Sequence, residues 1–443
     1  MKKNYKNTQK KLNIWMLQTG EPLIIDGKNP RLMRGMNLAN KLVDQGHNVL
    51  FFSSNFDHQK KLFRYNKSKF INFNSKLSFH LIDSPGYQKN ISISRFYDHL
   101  VLAVNLNKLI NQKKDKPDVV FIGYPPIEIS YVMARWLHKQ NIPYILDIKD
   151  QWPDLIVEIF PKKLHFLIKL ILFPYYYCFK QTIKNATSIT SMSYSFINWS
   201  LKISKNKNNT LNEVIPLASN KKKINYHNKI LSNKWCDKNN ILSKNSFNIL
   251  FLGSLSRSFD FETLIKCAKN IKNIKNININ FIICGDGELK KNLTESSKNL
   301  FNVKFTGWID SNKISAIASR SNVAIAPYKN INNFKDNIPN KIIDYISFGL
   351  PILSPLNGEV ASLIKKKEIG MSYKDGSSIS LKKKIYELLN DKKRLNFYSS
   401  NAKKLYKSDY SYDLVYGNAV NLIEKIYKNE NSVKLKNLIN ETI

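Results

Sequence analysis

The sequence predicts an α/β protein built from two Rossmann-like domains that face each other across a cleft. The chain has 443 residues, which is long for one domain and comfortable for two, and 43% of them are hydrophobic. Short apolar runs alternate with amphipathic stretches over most of its length, a pattern typical of parallel sheets covered by helices. Because ligands in such sheets bind beyond the carboxyl ends of the strands, we expect the functional site between the two halves.

The first half, residues 12–212, contains six runs that predict strands: Leu12–Leu17, Asn48–Ser53, Phe79–Ile82, Val119–Ile122, Tyr144–Ile148 and Ser188–Ser191. A helix is predicted from Pro30 to Gln45, with Asn29 as its cap and Gly46 as its stop signal. These elements predict a nucleotide-fold domain.

The second half, residues 213–395, repeats the alternation, with strands predicted at Asn248–Leu252, Ile279–Ile283, Val303–Thr306, Val323–Pro327, Pro351–Ser354 and Met371–Tyr373. The lysine-rich stretch 220–245 has the composition of a linker or surface insertion. Residues 396–443 form a helical region that is long enough to cross back to the first half.

The formal charge of +37 raises two kinds of partner, a nucleic acid and an anionic membrane surface. The basic residues are scattered, and only eight of the 70 are arginine, so the charge does not indicate a nucleic-acid site. An anionic membrane surface fits the charge at least as well. Each basic residue near an anionic bilayer contributes about 1 kcal/mol. The four cysteines lack a C-x-x-C spacing, so we expect a cytoplasmic protein. The positive charge adds the expectation of a peripheral position at the inner face of the cell membrane.

Residues 164–179 are apolar and aromatic and are flanked by lysines. The segment is too short and too interrupted to span a bilayer. It fits an interfacial helix, with tyrosines at headgroup depth and lysines on anionic lipid, and it fits a buried helix of the first domain equally well.

The most informative segment is 335–352, where two carboxylates and a lysine surround one predicted helix start. Asn337 is expected to cap the first turn, and the free amides there favour a phosphate. Lys341 adds a mobile positive charge, and Asp336 and Asp344 lie far enough apart to reach different hydroxyl groups of one ligand. The pattern suits a sugar nucleotide, although an ordinary capped helix would also explain it.

This segment resembles the donor site of family 4 retaining glycosyltransferases, enzymes of the GT-B fold whose pattern is an acid, seven residues and a second acid. Asp336 and Asp344 would form that pair, where the family usually carries glutamates. The sequence from Pro339 to Pro351 most resembles the corresponding segment of the subgroup that builds O-antigen, lipopolysaccharide and other surface polysaccharides. That subgroup includes N-acetylfucosamine transferases.

The resemblance extends to the loops after three predicted strands of the second half. Gly253 and Arg257 match the family's phosphate loop, but the lysine that normally follows is absent, so Lys341 would supply the second charge. Gly285 lies in a glycine turn that resembles a ligand loop, and an empty turn is the simpler interpretation. Gly307 and Trp308 fall where the family reads the base, and packing is the safer expectation for Trp308.

The resemblance also assigns acceptor-side residues in the first half. Gly20 and Glu21 match the subgroup's opening loop, with Arg31 and Arg34 positioned to meet a lipid diphosphate, although both arginines also fit a solvated helix start. The stretch from Asp147 to Asp154 matches the subgroup's D-x-x-D-x-W-P motif. Within it, Asp150 is our candidate for the acceptor hydroxyl and Asp147 for the acceptor side, while a helix N-cap also explains Asp150.

If the resemblance holds, a nucleotide-sugar donor binds the second half, with Asp336 orienting the sugar and Asp344 the ribose, and the sugar moves with retention to a glycan or polyprenyl-diphosphate-linked acceptor. No D-x-D pair or histidine cluster predicts a metal, so we expect no metal and no cofactor besides the substrate. Two alternatives remain: a sugar-nucleotide 2-epimerase of the same architecture and a basic nucleic-acid-binding protein.

Overall fold

The computed structural model describes residues 10–27, 30–205, 209–219, 225–241, 245–274 and 276–442. Its contacts divide the chain into two compact units. Unit 1 comprises Met1–Ile215 together with Tyr416–Ile443, and unit 2 comprises Pro216–Val415. The predicted helix cap Asn29 lies outside the described residues.

Unit 1 contains an eight-stranded sheet and a separate two-stranded hairpin. The strands are β1 (Asn13–Leu17), β2 (Asn48–Ser54), β3 (Phe56–Asp57), β4 (Leu62–Phe63), β5 (Lys69–Asn72), β6 (Leu77–Ile82), β7 (Val119–Tyr124), β8 (Tyr144–Ile148), β9 (Ser188–Ser191) and β10 (Glu213–Val214). The order in the sheet is β10-β9-β8-β7-β1-β2-β6-β5, and only β5 runs antiparallel to its neighbour. The carboxyl ends of the seven parallel strands therefore lie at one edge.

Seven helices of unit 1 precede its last strand: α1 (Arg34–Asp44), α2 (Ile93–Gln112), α3 (Ile127–Lys139), α4 (Asp154–Val157), α5 (His165–Ile171), α6 (Phe173–Lys184) and α7 (Tyr194–Ser204). A 3₁₀ turn, Lys162–Leu164, precedes α5. The core between sheet and helices is rich in aromatic side chains, and Trp15 stacks on Trp136 with ring centroids 5.6 Å apart.

Unit 2 has a six-stranded, entirely parallel sheet with the order β13-β12-β11-β14-β15-β16. The strands are β11 (Ser246–Leu252), β12 (Asn278–Cys284), β13 (Val303–Gly307), β14 (Val323–Ile325), β15 (Ile352–Ser354) and β16 (Gly370–Ser372). β11, β12 and β14 are near-continuous apolar runs, as expected for strands buried on both faces.

The helices of unit 2 are α8 (Tyr226–Lys238), α9 (Phe261–Asn270), α10 (Lys290–Ser296), α11 (Ser311–Ser319), α12 (Asn332–Lys335), α13 (Asn340–Phe348), α14 (Glu359–Lys367), α15 (Ser378–Asn390) and α16 (Lys392–Leu405). A π-helical segment, Tyr406–Tyr410, follows α16. The final helix, α17 (Tyr412–Thr442), continues into unit 1, where Tyr416, Val420, Ile423 and Ile426 are buried.

Every predicted strand is present, with ends shifted by a few residues, but the start of the first helix and the interpretation of residues 220–245 as a linker were wrong. The first helix begins at Arg34 rather than Pro30, because its first-turn amide at Gly35 is bound by Glu21 from the preceding loop. The stretch 220–245 contains α8, which begins at a side-chain cap from Asn225, so it is not simply a linker. Strand β5 and the hairpin β3–β4 were not predicted.

Candidate active site

Three loops of unit 2 are held together by backbone hydrogen bonds at the carboxyl edge of its sheet. The Gly253 amide donates to the Cys284 carbonyl and the Gly285 amide to the Gly307 carbonyl, each at 2.9 Å. Gly253 and Gly285 have φ values of +141° and +144°, and a Cβ on Gly285 would overlap the Gly253 carbonyl. The predicted glycines 253, 285 and 307 therefore form one closely packed surface that side chains would block.

The side chain of Lys341 lies on this glycine surface. A Cβ built on Gly253 would overlap the Lys341 ammonium group, so the absence of a side chain at 253 creates the space that the lysine occupies. The Lys341 Nζ also lies 4.7 Å from the ring centroid of Phe259 and 5.4 Å from that of Phe251. These rings orient the cation through their negative faces.

Helix α13 carries Lys341 and is fixed to the sheet by Tyr345, one turn later on the same face. The fully buried Tyr345 hydroxyl accepts a hydrogen bond from the Leu252 amide at 2.9 Å and donates to the Ile325 carbonyl at 3.0 Å. It thereby ties α13 to the ends of β11 and β14. The sequence interpretation missed this role, and a tyrosine following the second acid of the motif was its only sign.

The start of α13 differs from the prediction. Asn337 is buried three residues before the helix, and the N-cap residue is Pro339, whose side chain has no oxygen to accept an amide hydrogen. Lys341 is the second residue of the helix. The helix ends at Gly349, which has φ +71° as expected for a left-handed C-cap.

The two predicted acids lie on either side of this helix start. Asp336 is half-buried in the preceding loop, next to Lys335, whose carbonyl approaches Gly358 so closely that a Cβ there would overlap it. Asp344 is half-buried on α13, and the hydroxyl of Ser219 donates to its Oδ1 at 3.4 Å. Asp336 therefore precedes the helix that carries Lys341, and Asp344 lies on that helix.

Arg257 lies in the loop after Gly253, and its side chain is 82% exposed. Its backbone amide donates to Glu288 Oε1 at 3.2 Å, while its Nε is 3.8 Å from Glu288 Oε2. Glu288 was not singled out from the sequence. This loose, exposed pair leaves the Arg257 guanidinium free to change direction.

Trp308 is not packed, contrary to the safer of the two expectations. Its side chain is 77% exposed immediately after Gly307, at the carboxyl end of β13. The aromatic face is therefore available for stacking at the same sheet edge as the glycine loops.

Sequence and structure comparisons connect this arrangement to known enzymes. Residues 234–405, which contain all of these donor-side residues, match the family model described as glycosyl transferases group 1. Sucrose-phosphate synthase from Thermosynechococcus elongatus has a similar structure, with a TM-score of 0.69 at 14% identity, covering 95% of this chain and 100% of that one.

The protein is a glycosyltransferase. Its fold is GT-B, as two further structures show. HepE of Anabaena, in complex with UDP, has a TM-score of 0.65 at 12% identity over 94% of this chain and 100% of its own. WaaG, a glycosyltransferase involved in lipopolysaccharide biosynthesis, has a TM-score of 0.62 at 14% identity over 93% and 99%. No curated protein matches the sequence at a significant level.

In unit 1 of the glycosyltransferase, Arg34 and Asp147, both predicted on the acceptor side, form a buried pair. Arg34 Nε and Nη2 donate to Asp147 Oδ2 and Oδ1, each at 2.7 Å, and Arg34 Nη1 donates to the carbonyl of Ile215. Thr190 adds a hydrogen bond to Asp147 at 2.8 Å. Burial alone would raise the pKa of Asp147, but Arg34 and these hydrogen bonds outweigh it and lower the pKa. This pair joins α1, β8 and β9.

Glu21 has a structural role as well as a position near the predicted acceptor loop. Its Oε2 accepts the Gly35 amide at 2.8 Å, and its Oε1 lies 3.6 Å from the Lys149 ammonium group. Gly20 is exposed with φ +76°, and Arg31 is exposed just before α1. Asp150, half-buried after β8, is the predicted acceptor-side acid that remains at the carboxyl edge without acting as the N-cap of α4.

The neighbouring Asp154 of the glycosyltransferase anchors two helices. Its Oδ1 accepts from the hydroxyl of Tyr176 and its Oδ2 from Trp199 Nε1 at 2.8 Å. The last acid of the D-x-x-D-x-W-P-D stretch is the first residue of α4, so it fixes α6 and α7 to the start of that helix. Within the described residues, no group of three or more His, Cys, Asp or Glu side chains has the geometry of a metal site.

Proposed function

We propose that this enzyme is a retaining glycosyltransferase that moves a sugar from a nucleotide-sugar donor to a lipid-linked glycan in surface polysaccharide or O-antigen biosynthesis. The observation that carries the donor assignment is the position of the Lys341 ammonium group on Gly253. Lys341 lies in the first turn of α13, whose N-cap residue offers no side-chain acceptor to the free amides. Solved structures of HepE contain UDP and UDP-glucose, and that relative shares this fold. A nucleotide diphosphate suits the same combination of cation, amides and glycines.

In the proposed donor complex, the diphosphate lies against Gly253 and receives positive charge from Lys341 and the first-turn amides of α13. Arg257, which is exposed and held only loosely by Glu288, turns toward the same phosphates. This charge stabilises the departing nucleoside diphosphate, a role that a metal fills in other transferases. We therefore propose a metal-independent reaction.

We assign the remaining roles from the resemblance of these positions to the family's motifs. Asp336 orients the donor sugar and Asp344 the ribose, while the exposed face of Trp308 and the backbone around Gly307 meet the base. Unit 1 binds the acceptor, with Asp150 accepting a hydrogen bond from the hydroxyl that attacks. Attack from the face that the nucleotide leaves gives retention at the anomeric carbon.

The donor assignment is tested by thermal shift with UDP, GDP, dTDP and their sugar derivatives. Ligand bound to the folded state raises its melting temperature, by RT ln(1 + [L]/Kd) in free energy. We expect at least one nucleotide to raise the Tm of the wild type, and Lys341→Ala and Asp344→Asn to reduce that shift strongly. Lys291→Ala, an exposed lysine on α10, is the control and should keep the full shift. Equal shifts in all variants would contradict the assignment.

Product analysis separates the alternatives. A transferase forms a glycosylated acceptor and a free nucleoside diphosphate, whereas a 2-epimerase changes the sugar nucleotide without any acceptor. A nucleic-acid-binding protein would bind generic DNA with a steep salt dependence and show no saturation by sugar nucleotides. We expect acceptor-dependent release of the nucleotide.

We also propose that unit 1 docks on an anionic membrane through α5 and the first turns of α6. None of the seven residues of α5 is buried, and Phe166, Leu167, Leu170 and Ile171 are exposed. Lys162, Lys163, Lys169 and Lys180, all exposed, lie around this apolar surface and match the charge of anionic lipid. Within the described part of the chain, no helix has the length and apolar character to cross a bilayer.

The membrane proposal is tested by vesicle flotation. The protein should float with phosphatidylglycerol-containing vesicles and less with pure phosphatidylcholine, and added salt should weaken the binding. Phe166→Ser combined with Leu170→Ser should lower the bound fraction several-fold. Phe301→Ser is the control, because Phe301 is an exposed aromatic residue of unit 2, away from this surface in the chain. Unchanged flotation of the double variant would exclude this surface.

A further inference from the structure

Unit 1 contains a buried histidine–glutamate pair that takes no part in the donor and acceptor contacts proposed above. Glu128, in the first turn of α3, is 8% exposed, and His99, on α2, is 4% exposed. The distance from His99 Nδ1 to Glu128 Oε2 is 3.5 Å, longer than the 2.7–2.9 Å of a charge-assisted hydrogen bond. Within the described residues, neither Glu128 oxygen nor His99 Nδ1 meets the geometry of a full hydrogen bond, although the Tyr175 hydroxyl interacts with the Glu128 carboxylate as a donor.

A buried carboxylate whose oxygens lack well-formed hydrogen bonds is unfavourable, since an unmade hydrogen bond to a buried polar group costs about 1–3 kcal/mol and more for a charged one. Folded proteins keep such groups mainly where a ligand or another task requires them. The carboxylate oxygens accept hydrogen bonds and donate none when ionised, so the matching ligand group is a hydroxyl donor.

Aromatic rings surround the pair. The His99 ring centroid lies 6.4 Å from that of Trp152 and 6.2 Å from that of Tyr87. Tyr175 interacts with Glu128, and burial together with this carboxylate raises the pKa of the Tyr175 hydroxyl. Phe96 links the two sides, 6.5 Å from Trp152 and 5.8 Å from Tyr175. A sugar ring has an apolar face that packs on flat aromatic rings and hydroxyl groups at its edge that need hydrogen-bond acceptors. This group of side chains offers both.

Two cations border the same group of rings. The Arg95 guanidinium carbon lies 4.9 Å from the Trp152 centroid and 5.5 Å from that of Tyr87, while Lys61 Nζ lies 4.4 Å above Tyr87. Arg95 Nε is buried without a hydrogen-bond partner, and Lys61 Nζ contacts the exposed Asn90 side chain at 2.7 Å. An anionic group adjacent to the sugar would satisfy both cations.

The chain brings these residues to one edge of the unit 1 sheet. Tyr87, Glu128 and Trp152 follow the strands β6, β7 and β8, which are parallel to one another in the sheet, and Lys61 lies in the turn of the β3–β4 hairpin that comes after β2. Their loops therefore leave the same edge, where α/β sheets bind ligands. Arg95 and His99 join them from the first two turns of α2.

We propose that this cluster, Lys61, Tyr87, Arg95, His99, Glu128 and Trp152, binds the terminal sugar and adjoining phosphate of the acceptor. Glu128 and His99 hold sugar hydroxyls, Trp152 covers the ring, and Arg95 with Lys61 neutralises the phosphate. The proposal rests on the proposed transferase function and names its acceptor as a sugar attached directly to a phosphate or diphosphate. Glu128 and His99 are specificity-determining residues in this assignment.

The test measures direct binding of four soluble probes, in which farnesyl diphosphate is linked to glucose, galactose, N-acetylglucosamine or N-acetylgalactosamine. Farnesyl diphosphate without a sugar is the reference compound. Isothermal calorimetry on the full chain should show that at least one sugar-linked probe binds wild type ten-fold or more tightly than farnesyl diphosphate. Glu128→Gln should abolish this difference, and His99→Asn should reduce it. Arg95→Ala should weaken all probes, including farnesyl diphosphate.

Two readouts separate a binding role from a structural one. Glu128→Gln replaces a buried charge that lacks well-formed hydrogen bonds by a neutral group of the same shape, so the variant without ligand should melt at the same or a higher temperature than wild type; a structural residue would lower it. Its nucleotide-induced thermal shift, a property of unit 2, should be unchanged. Glu295→Gln, on exposed α10, is the matched control and should bind every probe like wild type.

Wild type that binds no sugar-linked probe better than farnesyl diphosphate would overturn the inference, as would Glu128→Gln that keeps the preference. Because these measurements need no donor, they remain decisive if no nucleotide binds. Failure of the donor assignment and failure of this acceptor site are therefore distinguishable.

Discussion

At the residue scale, the donor-side surface depends on one long-range contact between a glycine and a lysine. Lys341 lies 88 positions after Gly253 in the chain, yet its ammonium group occupies the space that a side chain at 253 would fill. The sequence motif predicted that both residues bind phosphate. Their direct contact could not be predicted, because it depends on how α13 docks on β11.

Gly253→Ala should remove nucleotide binding and also reduce stability. The added methyl group overlaps the Lys341 amine, and φ +141° strains any residue other than glycine at a cost of about 1–3 kcal/mol. We expect a lower Tm and loss of the nucleotide-induced shift in differential scanning fluorimetry. Gly417→Ala is the control, because that helical glycine has open space around it and alanine should stabilise α17 slightly. A Gly253→Ala variant with full nucleotide binding would show that Lys341 can move away without consequence.

At the scale of elements, helix position is set by contacts that local sequence does not contain. The parallel strands were predictable because their β-branched and aromatic runs are bounded by turn residues. The start of α1 was not, because Glu21 binds the Gly35 amide from outside the helix. Likewise, α13 begins one residue after Pro339, and Tyr345 fixes its position on the sheet. His99 and Glu128 are on separate helices, and each alone looks unremarkable in sequence.

Tyr345→Phe should loosen α13 without changing the packing of the ring. The variant leaves the Leu252 amide and the Ile325 carbonyl without their shared partner, at a cost of about 1–3 kcal/mol. Urea unfolding should show this loss, and nucleotide affinity should fall because Lys341 is on the same helix. Tyr373→Phe is the control, since Tyr373 is buried in the same unit but lies after β16, outside the elements that Tyr345 joins. Equal stability of both variants would contradict the anchoring role.

His80, on strand β6, should make the stability of unit 1 depend on pH. Burial and then the positive charge of Lys113 lower the pKa of His80 to about 4, from 6.5 in the unfolded chain. Between these values the unfolded chain binds the proton and the folded chain does not, so stability falls as the pH drops from 6.5 to 4. His80→Phe keeps the ring beside Phe52 and Phe70 and should flatten this part of the Tm–pH curve. His138→Gln, exposed on α3, should leave the curve unchanged.

At the scale of the whole molecule, unit 1 is assembled from two separated parts of the chain. Residues 416–443 group with Met1–Ile215, and the start of α17 is bound through Tyr416 to Asn37 on α1. Further along the helix, His47 Nε2 lies 3.2 Å from Glu424 Oε1 in a buried contact. The long helical pattern was visible in the sequence, but these particular partners were not.

A variant that stops at Val415 should lose stability in unit 1 but not in unit 2. It uncovers the apolar surface under Val420, Ile423 and Ile426, and burying one such side chain contributes about 1.5–3 kcal/mol. We expect the amide hydrogens of β1 and β2 to exchange faster, while those of β11 and β12 keep their protection. A synthetic peptide of residues 416–443 added in excess should restore protection in part. Unchanged exchange in β1 and β2 would contradict the contribution of this helix.

The split of unit 1 in the chain has a consequence for how the protein emerges from the ribosome. Unit 2 is one continuous stretch of the chain, so it can be synthesised completely before α17 exists. Until then, the part of unit 1 that was synthesised first lacks its final helix. At about 5–20 residues per second, the roughly 200 residues of that stretch impose a delay of about 10–40 s. During that interval the uncovered face around α1 and His47 is a site where chaperones are expected to act during biosynthesis.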